Sequence, residues 1–157
     1  MLETCLENVR NHGALVHNIT NYVTVNDVAN AILAIGASPI MSDEPEDVED
    51  IQTICQGLNI NIGTLNQQSI EGMKRAGKKA NELGHVVLLD PVGAGASHLR
   101  TQTALDLMKM IHFDVIRGNI SEIKTLALGT STTQGVDANA ADAVTEENLD
   151  TMVTFAK

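Results

Sequence analysis

Val86-Val87-Leu88-Leu89-Asp90-Pro91-Val92-Gly93-Ala94-Gly95-Ala96-Ser97 is the stretch on which the reading of this chain turns. Four consecutive apolar residues follow a charged helical pattern and a glycine, as in a strand buried on both faces of a parallel sheet. The run stops at an acid, then a proline, then a glycine-rich turn. Asp90 therefore stands at the carboxyl end of its strand, the edge where open α/β sheets bind ligands. A helix opens after the turn, and the N–H groups at such a start favour anions. The same residues also suit a plain strand-to-helix turn, since Asp and Pro are turn formers. No Lys-Ser/Thr pair follows the glycines, so this is not a Walker loop. A dinucleotide fingerprint is also missing, because Gly93 and Gly95 have no third glycine and the next strand ends in Arg117 rather than an acid.

Alternating strands and helices extend in both directions from this stretch. Leu2, Cys5, Leu6 and Val9 fall at helical spacing. Ala14-Leu15-Val16 reads as a strand ending in polar His17-Asn18-Ile19-Thr20-Asn21. A helix from about 23 to 35 ends at Gly36, and Ser38 to Met41 is a second strand. The acidic run Asp43 to Asp47 opens the next helix. Leu58 to Gly63 alternates as a strand, and 67 to 83 is a long helix capped by Gly84. Beyond the central stretch, Thr103 to Ile111 is helical, Asp114 to Arg117 is a strand, and Asn119 to Leu128 is a helix stopped by Gly129. A polar loop, Thr130 to Gly135, leads to a last helix with Thr145 as its N-cap and Leu149, Met152, Val153 and Ala156 on its apolar face. About five strands alternating with helices predict an α/β fold with a mostly parallel sheet flanked by helices. The alternation calls for a further strand after Lys157, so residues 1–157 read as the N-terminal part of one α/β domain.

Composition narrows the function. The net charge of -10 argues against nucleic acid as a partner, which needs a basic face. No apolar run reaches the roughly 20 residues of a membrane span. The first residues have neither a basic n-region nor an apolar h-region, so no signal peptide is read there. Cys5 and Cys55 have no metal-ligand spacing and read as reduced thiols of a cytoplasmic protein. The five histidines form no metal motif, and neither Ser97 nor Ser121 sits in a nucleophile elbow.

Two other constellations carry chemistry. In Arg117-Gly118-Asn119-Ile120-Ser121-Glu122, the spacing of Asn119 and Glu122 is that of a helix-capping box. Glu122 and Asp90 also converge from neighbouring strand ends, where two carboxylates hold Mg²⁺ directly or through water and Arg117 neutralises phosphate oxygens. The two readings are compatible. His17 to Tyr22 is either a turn with an N-cap or a polar strand end for a small neutral ligand, to which Met41 would offer a polarisable wall.

The whole series, His17-Asn18-Ile19-Thr20-Asn21-Tyr22-Val23-Thr24 with Asn26-Asp27, Gly36 to Met41, Asn61 to Leu65, Asp90 to Ala96, and Arg117-Gly118-Asn119 with Ser121-Glu122, resembles the hydroxyethylthiazole kinase family. That resemblance implies a ribokinase-like fold and ATP- and Mg²⁺-dependent phosphorylation of the hydroxyl of 4-methyl-5-(2-hydroxyethyl)thiazole in thiamine synthesis and salvage. It implies homotrimers with active sites between subunits. Met41, Asn21 and Gly63 become thiazole-pocket positions, Arg117 an ATP ligand, and Asp90 and Glu122 the Mg²⁺-phosphate acids. The family's later strands, nucleotide loops and Gly-Thr-Gly-Cys motif have no counterpart here. Cys5 and Cys55 lie in no such motif, so no catalytic residue is assigned, and the chain alone is expected to have little kinase activity. Other readings are a non-catalytic fragment that associates with itself or an intact subunit, a nicotinamide-dependent oxidoreductase, and a related vitamin kinase.

Overall fold

The computed structural model describes residues 2–129 and 143–155. Five strands form one sheet: β1 (Leu15–Ile19), β2 (Ser38–Met41), β3 (Gly57–Asn61), β4 (Val86–Asp90) and β5 (Val115–Ile116), in the order β2-β1-β3-β4-β5. Every pairing is parallel. Seven helices complete the described residues: α1 (Leu2–His12), α2 (Val25–Ile35), α3 (Val48–Ile54), α4 (Gln67–Leu83), α5 (His98–Met110), α6 (Ile120–Leu128) and α7 (Leu149–Phe155). The chain steps left from β1 to β2, then right through β3, β4 and β5. Right-handed crossovers send α2 to one face and α3 to α6 to the other. The packing agrees, with α1 against α2 on one side and α3, α4, α5 and α6 in succession on the other.

The core lies under the second layer. Ile19, Leu58, Ile60, Val87 and Leu89 project from the strands onto Met73, Ala76 and Ala80 of α4 and Ala104 and Leu107 of α5. β3 shows the period-2 alternation read from its sequence, with Leu58 and Ile60 buried and their neighbours half-buried. Helix α4 carries Gly72 against the backbone of Asp43, where a Cβ would overlap the carbonyl oxygen. This contact seats the β2–α3 loop against the sheet-covering helix.

Several boundaries differ from expectation. β1 continues through His17 and Asn18, because both side chains find partners inside the protein. Asn18 donates to the carbonyl of Val16 (2.9 Å) and accepts from Asn59 Nδ2 (3.0 Å). His17 Nε2 donates to the carbonyl of Ser42 (2.9 Å), and its Nδ1 pairs with the Gln52 amide at 3.0 Å. That amide pairs in turn with His85 Nδ1 at 3.0 Å. The acids from Asp43 to Asp47 form a turn before α3, which starts at Val48. Helix α5 starts at His98, five residues earlier than its apolar periodicity indicates, because Ser97 Oγ accepts from the Arg100 N–H (3.2 Å) and caps it. Asn148 precedes Leu149 at the start of α7, and Thr145 lies before it with its N–H on the Asn148 side chain (2.8 Å). The loop from Thr130 to Gly135 lies outside the described residues.

Two outcomes test this packing. Alanine at Gly72 gains about 1 kcal/mol of helix propensity. It also overlaps a backbone oxygen that has little room to retreat, at a cost of about 1–3 kcal/mol. Gly72→Ala is therefore expected to lower the urea midpoint. Burial holds His17 below the ordinary imidazole value, against the raising effects of Ser42, Gln52 and Asp47. A depressed histidine contributes stability that is full above its unfolded value of about 6.5 and is lost as pH falls through that value. His17→Gln is expected to be less stable at pH 7.5, with a shallower loss of thermal midpoint between pH 7 and 5.5 than wild type shows.

Candidate active site at the carboxyl edge of the sheet

Each of the five strands delivers one sequence-predicted residue to the same edge. Met41 ends β2 and Asn21 follows β1 by two residues. Gly63 follows β3 by two residues, Asp90 ends β4, and Arg117 follows β5 by one residue. Glu122 comes from the first turn of α6. The registers Asn18 with Met41 and Asn61 with Asp90 place these ends side by side. The chain reverses its direction of travel across the sheet between β1 and β3, which makes that junction the topological switch point, the usual ligand crevice of this strand order.

At the switch point the loops after β1 and β3 are joined. The Tyr22 N–H donates to Thr64 Oγ1 (3.1 Å). A Cβ on Gly63 would overlap Asn21 Nδ2 and approach Asn61 Oδ1 to 2.9 Å, so a larger residue there displaces the Asn21 amide. Asn21 Oδ1 accepts from the Val23 N–H (2.9 Å), which orients its amide toward Gly63. A cavity of about 520 Å³ opens beside this junction, lined among others by Tyr22, Gly63, Thr64, Ser97 and Arg100. Of the three substrate-side positions read from sequence, Gly63 is on its wall, while Met41 and Asn21 are not among its lining residues.

The acids form the other half. Asp90 Oδ2 accepts from Asn61 Nδ2 (2.9 Å) and from Arg117 Nη2 (2.5 Å). The Asp90 side chain is 11% exposed and that of Arg117 71%. Glu122 Oε1 accepts from the Gly93 N–H and Oε2 from the Asn119 N–H, both at 2.8 Å. Asn119 Oδ1 accepts from the Glu122 N–H (3.0 Å), completing the capping box expected from sequence. Glu122 thus caps its helix and braces the turn after β4. Burial pushes Asp90 above the ordinary carboxylate range, against Arg117 and the Asn61 hydrogen bond. Burial also pushes Glu122 up, and the charge of Asp90 adds to it. The Gly93 and Asn119 N–H groups and Arg117 act the other way. Two carboxylates that burial makes proton-hungry, beside one exposed cation, favour a site that receives further positive charge.

Four successive N–H groups of the turn after Asp90, ahead of the helix start, have partners within the protein: Gly93 donates to Glu122, Ala94 to the carbonyl of Pro91, Gly95 to Thr101 Oγ1, and Ala96 to the carbonyl of Gly93. The role of the turn is to hold Asp90 and Glu122 in place. Arg100 went unread in the sequence. It donates from Nη2 to the carbonyl of Gly63 (2.8 Å) and lies against Gly93. Its signal was a cation in the first turn of a helix, where the macrodipole disfavours one.

The parallel sheet thus brings an acid–arginine cluster and a crevice at the switch point to one edge. The hydroxyethylthiazole kinase family model matches residues 6–155, and the chain belongs to that family. It is 62% identical over 157 residues to hydroxyethylthiazole kinase from Clostridium acetobutylicum, covering all of this chain and 58% of that protein. It is 54% identical to the Clostridium beijerinckii enzyme, over 97% of this chain and 56% of the relative. The structure of hydroxyethylthiazole kinase from Pyrococcus horikoshii OT3 matches with a TM-score of 0.78 at 44% identity, covering 80% of this chain and 49% of that one. The chain thus spans about half the length of the relatives it matches.

Gly63→Ala drives a methyl group into Asn21 and Asn61. It is expected to cost about 1–3 kcal/mol, read as a lower urea midpoint, and to shift the side-chain amide NMR signals of Asn21 and Asn61.

Proposed function

We propose that this chain supplies the substrate-side crevice and the metal-side acids of an ATP-dependent kinase acting on the hydroxyl of 4-methyl-5-(2-hydroxyethyl)thiazole, in thiamine synthesis or salvage. The observation that carries this reading is the cluster of Asp90, Arg117 and Glu122 one strand away from the Gly63 crevice. Such a layout puts a neutral alcohol and a charged nucleotide on adjacent parts of one edge. In this reading Met41, Asn21 and Gly63 shape the thiazole pocket.

The donor set fits magnesium. Among the described residues no group of three or more His, Cys, Asp or Glu side chains is placed to hold a metal. Mg²⁺ takes one or two carboxylates and completes its shell with phosphates and water, a requirement that Asp90 and Glu122 can meet. Asp90 and Glu122 would hold it, and when bound it would neutralise phosphate charge. Arg117, exposed over most of its side chain, turns toward the nucleotide phosphates while staying within reach of Asp90. Asn61 keeps Asp90 oriented, and the Glu122–Gly93 hydrogen bond keeps the second acid beside it. Phosphoryl transfer depends chiefly on such positioning and charge stabilisation.

Two coarser features support the assembly and compartment read from the family. Helix α2 is strongly apolar yet has no buried residue, and Val23 (83%), Leu33 (55%) and Ile35 (45%) are exposed around it, an arrangement that suits subunit contacts in a homotrimer. Both cysteines are free thiols, in keeping with a cytoplasmic protein. No helix among the described residues is long and apolar enough to cross a membrane.

Calorimetric titration of the purified chain with Mg·ATP and with the thiazole alcohol tests the reading, alongside transfer of labelled phosphate to the alcohol. Binding of both ligands is expected, with turnover slow for a chain of this length. Absence of binding to either would refute it. Asp90→Asn should weaken Mg·ATP at least tenfold. Both acids titrate above the ordinary range, so protons compete with the metal at higher pH than usual. Mg²⁺ affinity is therefore expected to fall on acidification while pH is still above the roughly 4 of an ordinary carboxylate.

A further inference from the structure

We propose that Arg100 is a positioning residue that locks the substrate-side turn at Gly63 to the metal-side turn at Gly93, setting the gap across which the two ligands meet. The inference rests on reading those turns as the two halves of the kinase site. Its geometry is independent of that reading.

Arg100 sits in the first turn of α5, where the helix dipole opposes a positive charge. No carboxylate pairs with it among the described residues. A cation placed against the local field, without a counterion, is held for another purpose. That purpose is visible in its contacts. Nη2 donates to the carbonyl of Gly63 at 2.8 Å, gripping the end of the β3 segment. The rest of the side chain lies against the Cα of Gly93, so that a Cβ there would stand 2.5 Å from Nη1 and 3.1 Å from Cδ. Gly93 has φ of 73°, which also favours glycine. Its N–H is held by Glu122.

These contacts close a ring. Gly63 donates its N–H to Asn61 Oδ1 (2.9 Å), and Asn61 donates to Asp90 Oδ2 (2.9 Å). Asp90 leads through the turn to Gly93, Gly93 meets Arg100, and Arg100 returns to Gly63. Both acids are attached to the ring, Asp90 within it and Glu122 through Gly93. The five-donor guanidinium suits this double task, because Nη2 makes the bond while Nη1 and Cδ stay close to Gly93. An ammonium could make the bond but could not cover the glycine. A misplacement of about 1 Å in such a site can cost on the order of 10²-fold in rate, so a rigid spacer has a function beyond stability.

Amide hydrogen exchange of the full chain, followed by NMR, tests the proposal without requiring activity. In Arg100→Gln, exchange at Gly63 and Gly93 is expected to quicken at least tenfold, while Ile60 and Leu89 in the core strands stay within twofold of wild type. Arg100→Lys is expected to restore Gly63 to within threefold and to leave Gly93 fast. A second arm uses Mn²⁺ alone, with paramagnetic broadening of the Asp90 and Glu122 carboxyl signals as the readout. Arg100→Gln is expected to weaken Mn²⁺ about fivefold. Unchanged protection at both glycines overturns the proposal, and so does equal acceleration at Ile60 and Leu89, which would mark general loosening. Failure of the wild-type chain to bind Mn²⁺ counts against the kinase reading, while the exchange arm still decides the role of Arg100.

Discussion

The hydrogen bond from Asn61 to Asp90 is the contact on which the rest of the edge depends. It exists because the parallel register pairs those two residues at the last rung of β3 and β4. A one-residue slip of β4 would turn Asp90 to the core face and Leu89 out of it, separating the acid from Asn61. The register is held in turn by the apolar face those strands share with α4 and α5. Core packing therefore sets where a carboxylate stands, and the carboxylate sets where a cation is welcome. Asn61 also serves Gly63, so one amide fixes the position of an acid and the shape of the neighbouring crevice.

The buried polar residues of β1 follow the same economy of partners. His17 and Asn18 are fully enclosed, yet both are satisfied by Ser42, Gln52, Asn59 and the backbone. An unsatisfied group at such depth would cost about 1–3 kcal/mol. Their partners come from β2 or the segment after it, α3 and β3, so the network ties the strand-end loops to the first half of the sheet. The loop after Met41 is thereby anchored from beneath by a histidine rather than by apolar contact alone.

Much of this was legible from sequence because the decisive signals are local. An apolar run ended by Asp90, Pro91 and glycines announces a parallel strand and its carboxyl edge. Asn119 and Glu122 announce a helix start, and the alternation of Leu58, Asn59, Ile60 and Asn61 announces β3. Features that escaped depend on long-range partners or on a missing period. Nothing near His17 in sequence reveals Gln52 or Ser42, so the strand seemed to stop at a polar residue. The first turn of α5, His98-Leu99-Arg100-Thr101-Gln102, shows no apolar period, and the helix there rests on the Ser97 cap. Arg100 gains its meaning only when β3 and β4 lie side by side. The committed N–H groups of the glycine turn were likewise invisible, because their acceptors, Glu122 and Thr101, arrive from elsewhere in the chain.

Gly93 bears on how this edge can diversify. Any side chain there meets two penalties at once, a left-handed backbone and the Arg100 guanidinium. Shortening Arg100 relieves only the second. Single-step mutational routes through this turn are therefore nearly closed. Descendants of such a chain would be expected to inherit the same spacing between the Gly63 turn and the acids, whatever else around the edge changes.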